Sequence, residues 1–301
     1  MIGGQERSDR GNDRAIKIAG APISWGVCEV PGWGFQLEPE RVLAEMRGAG
    51  LTATELGPDG FLPSDTEALA SLLAGHDLAC VGGFVPVVLH DAAHDPAEDL
   101  AAPLAALQAA GAGVVVLAAT TGLDGYDVRP VLDDAQWATL LANLDRLADI
   151  VAGEGLLAVL HPHVGTMVET RADVDRVLKG SAIPLCLDTG HLMIGGTDPL
   201  ELAKAVPHRV AHTHLKDVDA ALASRVQAGE LTYTEAVKAG MYTPLGTGDV
   251  DIAGIVSVLR DNGFDGWFVL EQDTILDGEP EGEGPVRDVV ASVGYLRSVA
   301  S

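Results

Sequence analysis

Cysteine is scarce in this 301-residue chain: Cys28, Cys80 and Cys186 are an odd number without C-x-x-C spacing. That excludes a disulfide framework and a zinc ribbon, and a reducing cytoplasm is the expected location. Basic residues are few as well. Nineteen Lys and Arg stand against 44 Asp and Glu, a formal charge of −25, which repels nucleic-acid phosphates and anionic membrane surfaces. No apolar run approaches the length of about 18 residues that a membrane helix needs. Residues 1–14, MIGGQERSDRGNDR, are polar and Gly-rich, lack the apolar stretch of a secretory signal and read as a disordered tail. Also absent is a G-x-G-x-x-G turn after the first strand candidate. The pair Gly246 and Gly248 falls in a long loop, which argues against a doubly wound dinucleotide-binding sheet, the second architecture to consider.

What the chain does contain is apolar residues, 47% of the total, enough for a large core. Short β-branched or apolar runs alternate with Ala/Leu-rich stretches of helical periodicity. Strands are expected at about 16–23, 53–57, 78–84, 113–119, 156–161, 183–188, 209–214 and 267–271. Helices are expected at 38–49, 64–75, 97–110, 133–153, 171–179, 198–206, 251–262 and 286–299. Strands apolar on both faces, in eight strand–helix units, predict an α/β protein of one domain over residues 15–301, a (β/α)8 TIM barrel. More than thirty residues, about 217–249, separate the seventh strand from its helix. A connection of that length in a compact domain forms a lid or a subunit contact.

In such a barrel the chemistry sits at the carboxyl ends of the strands. The second strand ends in Glu55, the fifth in His161 and His163, and the sixth in Asp188 and His191. The seventh ends in His212, His214, Lys216 and Asp217, and the eighth in Glu271, Gln272 and Asp273. An i, i+2 spacing places each histidine pair on one strand face. Imidazoles clustered with carboxylates favour a divalent transition ion such as Mn2+, Co2+, Fe2+ or Zn2+ over Ca2+. A cation would also explain ionised Asp188 and Glu271 at the ends of buried strands. The alternatives are a helix cap for Asp188, a rim residue for Glu271, a turn for His90 and His94, and a salt bridge for Lys216 with Asp217. Trp25 is a candidate apolar wall against a substrate ring, or a core residue.

The stretches LHPHVGTMVET, CLDTGHLMIGGTDPL and VAHTHLKDV, with APISWG early and GWFVLEQD late, resemble the xylose isomerase-like barrel superfamily, and within it the inosose dehydratases. The resemblance runs from about residue 18 to 298. It implies a metal set at His161, Asp188, His214 and Glu271, with Mn2+ or Co2+ first in line and Zn2+, Fe2+ or Mg2+ admissible. His161 departs from the Glu that commonly ends the fifth strand, and His163 is an alternative ligand. It further implies a metal-dependent lyase of inositol catabolism acting on a cyclic polyhydroxy ketone, 2-keto-myo-inositol (scyllo-inosose). A base takes the proton α to the carbonyl, an enediolate forms, and an acid protonates the departing hydroxyl. Glu271 or Glu55 is the expected base, with His163, His191 or Lys216 placing or protonating hydroxyls. An isomerase or epimerase using the same site is the main rival. An abasic-site endonuclease on this barrel would need a basic groove that a charge of −25 does not supply, and a binding-only barrel would have no need to keep four ligands. The expected partner is a small polyol ketone or sugar, with neither nucleic acid nor membrane, and with a homo-oligomer compatible.

Overall fold

The computed structural model describes residues 16–300; the tail expected over 1–14 lies outside the described residues. In chain order, β1 (Ile18–Gly20) leads through a 3-10 turn (Pro22–Trp25) to α1 (Pro39–Gly48). Next come β2 (Ala53–Glu55), α2 (Thr66–Gly75), β3 (Ala79–Val87) and α3 (Ala101–Ala109). They are followed by β4 (Val114–Ala119), α4 (Asp134–Gly153), β5 (Leu157–Leu160) and α5 (Arg171–Gly180). β6 (Leu185–Asp188) is followed by two helices, α6 (Thr189–Ile194) and α7 (Pro199–Ala205). After β7 (Val210–Leu215) the chain forms β8 (Asp217–Val218), α8 (Ala220–Gln227), α9 (Tyr233–Lys238) and β9 (Tyr242–Thr243). It then continues into α10 (Ile252–Asp261), β10 (Phe268–Leu270) and α11 (Val286–Val299).

Eight parallel strands close into a barrel in the order β1-β10-β7-β6-β5-β4-β3-β2, as the strand–helix alternation predicts. Alternate strand residues divide between two environments, because successive side chains of a strand point to opposite faces. One set, including Leu117, Leu160, Leu185 and Leu187, joins the main core under the helices. The other set is small. Ala19, Ala53, Val81 and Val269 pack together, as do Val116, Val159 and Cys186, filling the barrel interior below the strand ends. The helices start where local chemistry allows: Asp133 with Gln136 and Thr170 with Asp173 form capping boxes at α4 and α5, which satisfy backbone N–H groups that have no partner inside the helix.

Three local features differ from the sequence expectation. The first strand is shorter, because Pro22 lacks an N–H to donate and opens a 3-10 turn instead. β3 runs on to Val87, paired with Ala119 of β4. The segment after β6 is helical, because Asp188 Oδ1 accepts the His191 backbone N–H at 2.8 Å and caps α6.

The connection after β7 is folded. β8 and β9 form an antiparallel ribbon, and Asp217 ties down its base. The Asp217 carboxylate accepts the backbone N–H groups of Gly246 at 2.8 Å and of Gly248 and Val250 at 3.0 Å. Gly248 is required there, since a Cβ would stand 2.4 Å from Asp217 Oδ1. Among the described residues no helix is long and apolar enough to cross a membrane.

Candidate active site

The β2–β3 register shifts between Thr54 and Glu55, so that Thr54 faces Cys80 and Glu55 faces Gly82. A shift of this kind re-aims a strand-end side chain, and it leaves the Glu55 carboxylate buried inside the barrel mouth. On β7, His212 and His214 share the inward face. Glu55 Oε1 accepts from His212 Nε2 at 2.7 Å and from His214 Nε2 at 3.1 Å. Burial alone would raise the Glu55 pKa, but the two imidazoles outweigh it and hold the carboxyl well below its ordinary range. A carboxylate that accepts two N–H groups is a weak base, which removes the reason for placing Glu55 as the proton-abstracting group.

On its other side His214 presents Nδ1, a buried atom without a hydrogen-bond partner. It faces Glu271 Oε2 at 3.3 Å and Asp188 Oδ2 at 3.7 Å. His161 Nε2 lies 3.2 Å from the same Asp188 oxygen. His161, Asp188 and His214 thus meet in one place, and Glu271 joins them through His214. Asp188 satisfies both readings of its position: Oδ1 caps α6 while Oδ2 faces this cluster. Donor atoms about 2.0–2.2 Å from a common ion, at angles between a right angle and tetrahedral, stand about 3.0–3.5 Å from one another. The separations of 3.2 and 3.3 Å, the orphaned Nδ1 and the two-imidazole, two-carboxylate donor set fit a divalent cation, while the 3.7 Å between His214 Nδ1 and Asp188 Oδ2 is slightly wider than two ligands of one ion stand. Among the described residues two trios of ligand-type atoms lie within 4.8 Å of one another, His161–Asp188–His214 and Glu55–His212–His214. In the second trio the 2.7 Å contact is a hydrogen bond, too short for two ligands of one ion.

Lys216 projects into the cluster and is 2% exposed. Its ammonium lies 2.9 Å from Glu271 Oε2 and 3.8 Å from Asp188 Oδ2, and it contacts Asp273 directly. Burial opposes the charge, but Asp273, Glu271 and Asp188 outweigh it and push the Lys216 pKa well above its ordinary value. Asp217 points the other way, into the ribbon, so Lys216 and Asp217 do not form the pair that their adjacency suggests. Glu271 is raised above the usual carboxylate value by burial.

His163 stands beside the cluster, not in it. Its Nδ1 is 2.6 Å from the Val164 carbonyl oxygen, an acceptor, so Nδ1 carries the proton and Nε2 keeps its lone pair. Burial, reinforced by the charge of His161, pushes the His163 pKa well below 6.5. His191 stacks on His163 with ring centroids 3.6 Å apart, and its unpartnered Nε2 faces Asp273 at 3.9 Å.

Glu55, His161, His163, His214, Lys216, Glu271 and Asp273 border a cavity of about 340 Å3 at the carboxyl end of the barrel. Its aromatic wall is built of Trp33, Tyr126 and Tyr233, with ring centroids 6.4 Å apart for Trp33–Tyr233 and 6.3 Å apart for Tyr126–Tyr233. Trp25 is not part of it. The Trp25 indole is fully buried in the main core and donates to Glu45 Oε2 at 2.7 Å. Sequence reading missed Trp33, Tyr126 and Tyr233 as site residues, and named Asp273 at the end of the eighth strand without giving it a role. The usable signal for Trp33 was its loop, VPGWGF, directly after the first strand. Tyr233 comes from α9 of the long connection, where its hydroxyl donates to Asp273 Oδ2 at 2.5 Å. Tyr126 stacks on His163 at 4.4 Å and donates to Glu29. Gly165 lets the Tyr126 loop approach, since a Cβ there would sit 2.3 Å from the Tyr126 carbonyl oxygen. His90 and His94 border a separate cavity, where His94 Nε2 contacts Asp99 at 2.7 Å.

The inosose dehydratase of Geobacillus thermodenitrificans (strain NG80-2) is 30% identical over 296 residues, covering 95% of this chain and 97% of that protein. Among solved structures, the probable 3-DHS dehydratase AsbF of Bacillus anthracis superposes with a TM-score of 0.68 at 15% identity, over 93% of this chain and 98% of that one. A zinc-binding IOLI protein does so with a TM-score of 0.67 at 14% identity, over 95% and 98%. At these identities the two structures establish the shared fold. The profile of the xylose isomerase-like TIM barrel family matches residues 43–298, and the chain belongs to that family.

Proposed function

We propose that this protein is a metal-dependent hydro-lyase that removes water from a cyclic polyhydroxy ketone, with 2-keto-myo-inositol (scyllo-inosose) as the expected substrate. The observation that carries the reading is the convergence of His161, Asp188, His214 and Glu271 around the orphaned Nδ1 of His214, beside Lys216, in a chain similar throughout its length to inosose dehydratases. Those four residues would hold a divalent ion, Mn2+ or Co2+ in the first instance. When bound, the ion polarises the ketone and offsets negative charge developing on its oxygen.

The protein's own groups supply the remaining steps. His163 Nε2, unprotonated and bordering the cavity, takes the proton from the carbon α to the carbonyl; its lowered pKa makes it a weak base, so the step depends on the acidity that a bound ion would give that C–H. Glu271, one of the two carboxylates expected from the sequence for this role, is assigned here to the groups that would hold the ion. His163 Nε2 then returns that proton to the β-hydroxyl as the C–O bond breaks, so water leaves and His163 is neutral again. Lys216 stays charged and holds a substrate oxygen electrostatically. Trp33, Tyr126 and Tyr233 cover the C–H face of the ring and exclude bulk water.

The test is to load the purified protein with Mn2+ or Co2+, supply scyllo-inosose and follow ultraviolet absorbance of the unsaturated or diketone product. His163→Asn should abolish turnover and retain the metal. An epimerised ketone formed without water loss would replace this reading with the isomerase one.

A further inference from the structure

We infer that Glu55 is a positioning residue that fixes which nitrogen of His214 faces the metal site. The inference rests on the metal reading of the His161–Asp188–His214–Glu271 cluster. A neutral or metal-bound imidazole that donates from Nε2 to a carboxylate carries its one proton there, and its other nitrogen is then the lone-pair nitrogen; in the metal-free protein, where the His214 pKa is raised, an incoming ion would displace the Nδ1 proton and leave the one held by Glu55. His214 donates to Glu55 Oε1 at 3.1 Å, and His212 donates to the same oxygen at 2.7 Å. Nδ1 of His214 therefore turns its lone pair toward Asp188 Oδ2 and Glu271 Oε2, 3.7 and 3.3 Å away. Lys216 Nζ already neutralises part of the charge on these oxygens, at 2.9 Å from Glu271 Oε2 and 3.8 Å from Asp188 Oδ2, and a divalent cation held between them and the Nδ1 lone pair would remove the remaining repulsion. Glu55 is what holds the ring in that orientation.

The arrangement is built rather than incidental. Glu55 reaches β7 from β2, with β1 and β10 lying between them in the barrel order. The register shift at Thr54/Glu55 places Glu55 opposite Gly82 and swings the side chain inward. His212 is the second anchor. Its hydrogen bond keeps the Glu55 oxygen in place, which accounts for a histidine pair in the seventh strand when only His214 faces the cluster. A carboxylate behind a metal-binding imidazole fixes the ring and increases its donor strength, and its loss typically weakens metal binding by about 10–100-fold.

The experiment measures zinc affinity by chelator competition in the full chain, for the wild type, Glu55→Gln, Glu55→Ala and Asp188→Asn. In parallel, long-range 1H–15N correlation on 15N-histidine protein assigns the protonated nitrogen of His214. The expected result is a loss of zinc affinity of about 10–100-fold in both Glu55 variants. Wild-type His214 should carry its proton on Nε2 and bind zinc through Nδ1, a preference lost in Glu55→Ala. Thermal unfolding of the metal-free variants separates this from misfolding, and the His214 assignment in Glu55→Gln stands even where Glu55→Ala fails to fold. If Asp188→Asn loses zinc while Glu55→Gln binds it like the wild type, or if His214 ligates through Nε2, the role of Glu55 is overturned and the metal site stands. If Asp188→Asn binds zinc like the wild type, the metal reading fails and this inference fails with it.

Discussion

Replacing Lys216 with methionine tests the electrostatics of the site most directly. The ammonium is 2% exposed and serves three carboxylates: Glu271 at 2.9 Å, Asp188 at 3.8 Å and Asp273 in direct contact. Methionine fills most of the volume of the lysine stem, so the cavity cost is small. What remains is a buried cluster of negative charge without its cation. Breaking a buried ion pair by deleting one partner costs about 3–5 kcal/mol, which in a domain of this size lowers the midpoint of thermal unfolding by roughly 6–20 °C. A divalent ion bound to the same carboxylates replaces the lost positive charge, so the deficit should shrink in zinc-saturated protein. Calorimetry of Lys216→Met and the wild type, each with chelator and with excess zinc, provides the measurement. A deficit under about 1 kcal/mol in chelator, in the range of an exposed ion pair, or one that zinc does not change, would refute the coupling of Lys216 to these carboxylates.

Two further outcomes follow from the same geometry. Trp25→Phe should lower stability by about 1–3 kcal/mol, because Glu45 loses the buried indole N–H, and should leave kcat and KM for scyllo-inosose unchanged; Trp33→Phe should raise KM instead, and steady-state kinetics with thermal unfolding distinguishes the two. Burial lowers the pKa of His161 to about 4 and also lowers those of His163, His191 and His212, whereas in the unfolded chain they titrate near 6.5. Below pH 6.5 the unfolded state therefore binds protons that the native state refuses, and stability is lost as pH falls from about 6.5 toward 4. His214, whose pKa is raised because Glu271 and Glu55 outweigh its burial, opposes this as one group against four. The urea midpoint of metal-free protein should be lower at pH 5.0 than at pH 7.5, and an equal or higher value would contradict the burial of neutral imidazoles.

The barrel was legible because its signals are local. A run such as GVVVLAA or IPLCLD declares a buried strand whatever its neighbours are, and Gly50, Gly155 and Gly263 mark where a helix has ended and the next strand is about to begin. Strand ends then point to the mouth of the barrel by topology, and the resemblance to the family picked His161, Asp188, His214 and Glu271 from the polar residues there. Trp25 misled because an aromatic residue after the first strand satisfies both a wall and a core description. The choice was made by the 3-10 turn at Pro22–Trp25, which turns the indole toward Glu45 of α1. Tyr233 and Asp273 could not be matched from sequence, since they are 40 positions apart and meet through the folding of the connection after β7.

The order of strands and helices, the closed parallel barrel and the set of polar groups at its mouth are consequences of the sequence itself, because side-chain periodicity and helix ends are settled within a few residues. Which of those polar groups touch, and with which atom, was decided by the tertiary structure. The one-residue register shift beside Glu55 and the closure of β7 toward β2 turn His214 so that one nitrogen meets Glu55 and the other meets Asp188 and Glu271. Contacts of that kind depend on shifts of about an ångström between segments remote in the chain, and no local pattern records them.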